Sequence, residues 1–230
     1  MITPGDVISY LDMCKEEEVN LQRGMNYRLR SGFSVILMSV RLGSPYADRV
    51  EENGKILIYE GHDIPQTKEG PIPKRTDQPM NNPGGGLTQN GLFYEAAQAY
   101  KNKRKDAELV KVYEKIRSGI WAYNGIFKLI DSWQENINTR KVFKFKLETA
   151  EGFQRNTVKQ KDIDRNRLIP TSVKLEVWKR DKGKCVACGS ADNLHFDHII
   201  PYSRGGSSLV AENVQLLCAR HNIVKRDKIE

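Results

Sequence analysis

The feature that most narrows what this chain can fold into lies near its carboxyl end. Cys185-Val-Ala-Cys188 and Cys218-Ala-Arg-His221 form two short pairs separated by 29 residues. A gap of two residues lets both side chains of a pair reach one ion, and three thiolates with one imidazole make a tetrahedral set suited to zinc. Four protein ligands leave no open position, so the expected Zn²⁺ is structural. It would staple a segment of about 60 residues whose apolar core is too small to stand alone. Cys14 is isolated, which argues against a disulfide framework and for a buried thiol on a helix face.

The remainder is long enough for a second, larger body. Of 230 residues, 39% are hydrophobic and 29% charged, a globular composition that excludes disorder or a fibrous structure throughout. No apolar run approaches the roughly 18 residues of a membrane helix, and Asp6, Asp12 and Lys15 would interrupt a secretory core. A soluble, cytoplasmic protein without a membrane partner is expected. The net charge is +8, with 22 basic against 19 acidic residues up to position 150 and 15 against 10 beyond it. The smaller part is the more basic, which suits a module acting on a phosphate backbone.

Along the chain, Val7, Ile8, Leu11 and Cys14 recur at three- and four-residue steps and predict a helix over residues 3–22. Strands are expected at residues 33–40, 55–59 and 142–147. The last of these reads VFKFKL, which alternates apolar and basic residues and so predicts one basic sheet face. Residues 61–86 are rich in Pro and Gly and predict a long irregular loop, and residues 92–101 a helix. The polar, mixed-charge stretch before Pro170 reads as a linker.

Between the two metal-ligand pairs lie LHFDHIIPYSRGG and AENVQLLC, and Asn222 follows His221 directly. With the DHIIP segment, the central Asn213 and the HNxxK ending in order, residues 173–228 resemble an HNH nuclease. His221 stands where many members of that family carry a fourth cysteine. The resemblance implies a ββα-metal fold in which His198, near the end of the first strand, polarises the attacking water. Asp197 and Asn222 then offer oxygen ligands to a catalytic Mg²⁺ or Mn²⁺, and Asn213 orients the loop carrying His198. Oxygen donors select such a hard cation and the sulfur-rich cluster selects zinc, so two metals with separate roles are implied. The expected products carry 5′-phosphate and 3′-hydroxyl ends. Arg204, Lys225 and Arg226 are candidate phosphate contacts, and His195 is expected to be structural or to support the site indirectly.

In the amino-terminal part, SPYADR, LIYEGHD, IWAYNGIFKLIDSW and RKVFKFKLE follow one another in the order found in SRA (YDG) domains. That resemblance, over about residues 27–148, implies a PUA-like, β-rich fold that binds duplex DNA containing 5-methylcytosine or a related base and rotates the base out of the helix. Tyr46 and Tyr59 match the aromatics that sandwich the flipped base, and stacking on them replaces stacking lost from the duplex. Asp48 matches the carboxylate that accepts from the cytosine N4 amine. The alternative for each tyrosine is a core aromatic in a strand. The family's Tyr-Asp-Gly is Tyr123-Asn124-Gly125 here, and its Gly-rich loop is reduced to Tyr59-Glu60-Gly61-His62-Asp63. His62 and Asp63 either contact DNA or close that loop. Lys68, Lys74 and Arg75 place the following loop as a candidate groove contact.

The combined expectation is an α+β chain. Residues 1–150 form an SRA-like reader with an amino-terminal helix, 151–172 a linker, and 173–230 a zinc-stapled ββα-metal nuclease. The expected function is a modification-dependent restriction endonuclease acting on double-stranded DNA that contains 5-methylcytosine or 5-hydroxymethylcytosine. Cutting both strands calls for a homodimer or two binding events. The rival readings are a non-catalytic reader of modified DNA and an HNH nuclease specific for unmodified sequence.

Overall fold

A computed structural model describes residues 2–150, 168–201 and 204–225. Most of the expected linker lies outside the described residues. The core of the amino-terminal part is an antiparallel meander of three long strands, β6 (Glu108–Arg117), β7 (Ile120–Ile137) and β8 (Arg140–Thr149). Two-residue turns join them, at positions 118–119 and 138–139. Gly119 (φ +75°) and Asn138 (φ +55°) supply the left-handed backbone that tight hairpins require.

Five shorter strands, β1 (Val7–Ser9), β2 (Met25–Asn26), β3 (Ser34–Met38), β4 (Arg49–Glu51) and β5 (Ile56–Glu60), complete the sheet. Its order is β2-β3-β6-β7-β8-β5-β4, with β3 and β6 parallel. β8 pairs with β7 only from Phe127 onward, and β1 takes the edge of β7 at Ile120–Ala122 that β8 leaves open. Helix α2 (Gln89–Lys101) starts where the Thr88 hydroxyl accepts from Gly91 N, and buries Phe93 and Ala97, one turn apart. The Phe93 ring meets Phe145 edge-on at 5.9 Å and Tyr27 at 5.5 Å.

Two expectations need correction. The helix predicted over residues 3–22 shrinks to α1 (Tyr10–Glu16), because Val7 and Ile8 are drawn into the sheet and the Ser9 hydroxyl caps the helix by accepting from Asp12 N. Leu11 is exposed, Cys14 is half-buried, and the residue that α1 buries is Met13. The basic face expected of VFKFKL is also neutralised in part, at Lys144, while Lys146 stays half-buried. Register sets Lys144 opposite Glu60, and its ammonium is buried 2.9 Å from the Glu60 carboxylate. The loop at 61–86 carries one short 3-10 turn, Pro73–Arg75.

The carboxy-terminal part is α3 (Thr171–Arg180), an antiparallel hairpin of β9 (Leu194–His198) and β10 (Val214–Cys218), and α4 (Ala219–Lys225). Leu194 and Phe196 of β9 join Val214 and Leu216 of β10 with Val173 and Val177 of α3 in one apolar cluster. Arg180 ties α3 to the start of β10 through the carbonyls of Ala211 and Val214. The chain is therefore α+β, a β-rich body followed by a ββα segment. No helix among the described residues is long and apolar enough to cross a membrane.

Candidate functional site

The hairpin and α4 bring the two metal-ligand pairs together. Cys188 Sγ and Cys218 Sγ stand 3.8 Å apart, and His221 Nδ1 lies 3.2 Å from Cys218 Sγ and 3.7 Å from Cys185 Sγ. All four ligand atoms fall within 4.8 Å of one another. Metal–sulfur bonds of about 2.3 Å in a tetrahedron give edges of about 3.8 Å, so the spacing fits a zinc ion. Burial opposes ionisation of Cys185, but backbone N–H groups of Cys218, Ala187 and Cys188 outweigh it and bring the thiol down to about 6. A thiolate at neutral pH is the form a metal binds.

Asp197 and His198 end β9, and α4 packs against them. The Lys225 ammonium is buried, 2.5 Å from His198 O and 2.7 Å from Asp197 Oδ2. Its expected role as a phosphate contact is corrected: a lysine committed to two internal acceptors is not presented to DNA. The contact with Asp197 Oδ2 is an ion pair, and that oxygen is buried without a hydrogen-bond partner among the described residues. Asn222, half-buried, lies one turn before Lys225 on the same side of α4. Asn213 Oδ1 accepts from Ile200 N at 2.8 Å, and its Nδ2 donates to the carbonyls of Ile200 and Ser207, both at 3.0 Å. It thereby pins both ends of the loop that follows His198. Arg204 is exposed on that loop, and Arg226 lies outside the described residues.

The sequence did not single out Ser208. It is buried, with Oγ 2.8 Å from His198 Nε2. Burial pushes the His198 pKa below its ordinary value; Asp197 pulls it up, and Lys225 and His195 push it further down. The ring is therefore neutral at pH 7. His195, on the same strand, turns away to the amino-terminal segment, with Nδ1 2.6 Å from Asp6 Oδ1.

In the β-rich body, Tyr46, Asp48 and Tyr59 gather where β4 and β5 pair. Asp48 accepts from Ser39 N at 2.9 Å and Glu60 N at 3.0 Å. Burial nevertheless raises its carboxyl to about 7; Glu60 adds to the rise, and those two N–H groups and Lys144 oppose it. Tyr59 is buried in the central core, close enough to Asp48 and Tyr46 for both to raise its phenol further after burial itself. Tyr46 is half-buried, and the Lys74 ammonium sits 4.0 Å from its ring centroid. Lys74 also pairs with Asp63 at 2.8 Å. Asp63 in turn binds Arg140 and Gln78, so it closes its loop from within. The backbone of His62 is held on both sides by Asn90, while His62 Nε2 is buried without a hydrogen-bond partner among the described residues. Lys68 and Arg75 are exposed.

Residues 185–227 match the sequence model of the HNH endonuclease family. The carboxy-terminal segment carries the HNH signature. A comparison with curated proteins gives no match. Among solved structures, the chain is similar to the SUVH5 SRA domain in complex with methylated CHH DNA. The identity is 21% and the TM-score 0.46, covering 66% of this chain and 90% of that one. It is similar to the same domain bound to fully hydroxymethylated CG DNA, at 21% identity and a TM-score of 0.44, covering 63% and 86%. Arabidopsis thaliana SUVH6 in complex with SAM is similar at 19% identity and a TM-score of 0.43, covering 66% of this chain and 26% of that one.

Proposed function

We propose that the chain is a modification-dependent DNA endonuclease, in which the β-rich body selects duplex DNA carrying a 5-modified cytosine and the HNH segment hydrolyses the backbone nearby. The observation that carries the nuclease half is the convergence of Asp197, His198, Asn213, Ser208 and Lys225 on one ββα unit within residues 185–227. His198 is the general base. With Ser208 Oγ accepting from Nε2–H, the Nδ1 lone pair is left to take a proton from water. Asp197 Oδ1 has no hydrogen-bond partner among the described residues, nor does the Asn222 side chain, so an oxygen from each is available to a hard cation. Mg²⁺ or Mn²⁺ held there would neutralise charge on the phosphate and the leaving oxygen. The zinc cluster is the structural staple.

The reader half rests on the order of SPYADR, LIYEGHD and IWAYNG and on the gathering of Tyr46, Asp48 and Tyr59. Tyr46, the more accessible tyrosine, supplies a stacking face once Lys74 moves aside, Tyr59 forms the floor, and ionised Asp48 accepts from the N4 amine. A double-strand break takes a homodimer or two binding events. A His198→Ala protein tests the nuclease assignment: it should bind modified duplex as before and lose cutting by about 100-fold or more. Cutting at the normal rate would remove His198 from the mechanism.

A further inference from the structure

The β-rich body and the nuclease segment meet through a folded interior. Ile116 of β6 and Ala122 of β7 belong to the same buried cluster as Ile169, Val173, Val177 and Phe196. Inside this contact, Glu114 of β6 is fully buried. Lys174 of α3, also buried, places Nζ 2.6 Å from Glu114 Oε2 and 2.7 Å from Asn124 Oδ1. Asn124 Nδ2 donates to Glu114 Oε2 at 3.0 Å, and the Thr171 hydroxyl donates to the other Glu114 oxygen. One carboxylate meets one ammonium, and each has neutral partners. Aspartate at position 124 would set two carboxylates against that single ammonium.

A second seam runs through residues 5 and 6, which lie between the two sheets. Gly5 N donates to Tyr123 O at 2.8 Å and Tyr123 N to Asp6 O at 2.9 Å, while Phe196 N donates to Gly5 O at 3.1 Å. The Asp6 carboxylate completes the seam at His195. Gly5 adopts φ +98°, and a Cβ there would stand 3.0 Å from His195 Nε2 and 3.2 Å from Phe196 O, so the close approach depends on glycine. Apolar burial supplies attraction. The ion pair adds little net affinity relative to water, but it rejects shifted dockings, each of which would bury a charge without its partner.

We propose that these seams lock reader and nuclease into one rigid unit, so that the cut falls at a fixed offset from the modified cytosine. The consequence for cutting rests on the function proposed above; the docking itself does not. The test uses the full chain on duplexes with one 5-methylcytosine at a defined position, mapped to the nucleotide, together with Asn124→Asp and Lys174→Glu proteins that retain zinc and modified-DNA binding. The wild type should cut within one tight group of neighbouring phosphodiesters. The variants should scatter their cuts and lose about tenfold or more in rate per bound complex, since an undocked nuclease acts only at its tethered effective concentration. Scattered wild-type cuts, or folded variants that keep the wild-type offset and rate, would overturn the proposal. If cutting ignores modification altogether, the functional reading falls. Small-angle X-ray scattering of the wild type then decides the docking: a profile matching the docked arrangement supports it, and one of two independent bodies overturns it.

Discussion

Ser208 Oγ lies 2.8 Å from His198 Nε2, in a buried contact that fixes the imidazole from the side opposite its proposed work. The pair follows the general arrangement of a base held by an orienting group. Ser208 also sits next to Ser207, whose carbonyl Asn213 holds. Loop and ring are thus positioned by one connected set of bonds.

Removing that contact should reduce turnover more than binding. A Ser208→Ala protein should retain its affinity for modified duplex and lose about fivefold in kcat, the value of a typical lost hydrogen bond of about 1 kcal/mol. Because the Nε2 partner also sets the tautomer, the pH–rate profile should shift as well. An unchanged profile with unchanged kcat would make the contact purely structural.

Asp48 predicts a pH dependence of reading. Its carboxyl is raised by burial from 3.8 to about 7, so the ionised form that accepts from cytosine N4 is a minority below pH 7. Affinity for modified duplex should therefore rise about tenfold from pH 6 to pH 8, and an Asp48→Asn protein should lose that slope. The sign for stability is opposite. A carboxyl with a raised folded pKa contributes stability fully present below the unfolded value of 3.8 and lost as pH climbs through about 7. Thermal melts at constant ionic strength should accordingly fall less between pH 5 and pH 8 for Asp48→Asn than for the wild type.

Zinc removal should unfold the nuclease segment selectively. A structural zinc site contributes on the order of 10 kcal/mol of folding free energy, more than a segment this small can replace. Chelation, or Cys188→Ser, should abolish cutting and expose the amides of β9 and β10 to hydrogen exchange, while the core around Phe93 and Phe145 stays protected. Metal analysis should return one zinc per chain. Full protection in zinc-free protein would show that the apolar cluster suffices.

What the sequence revealed tracks how local each signal is. Cys185 with Cys188, Cys218 with His221, and Asp197 with His198 are short-range patterns, and the fold brings each set together. Asn213 was legible by its place in the motif. Lys225 was misread as a phosphate contact because its charge says nothing of its burial or of the half-buried Asp197 it meets 28 positions away. Ser208 gave no signal, being one serine in a polar loop. The Asp6–His195 contact spans 189 positions and has no local pattern at all. The strands at residues 108–137 were missed although Gly119 and Asn138 mark their turns, and the helix over 3–22 was overextended because the adjacent pair Val7 and Ile8 is too short to distinguish a strand's period of two from a helix's period of 3.6.

The most direct test of the central claim is cleavage of otherwise identical duplexes carrying 5-methylcytosine, 5-hydroxymethylcytosine or plain cytosine at one position, in Mg²⁺ or Mn²⁺. One or both modified duplexes should be cut and the plain one left intact. Equal cutting of all three would contradict the claim.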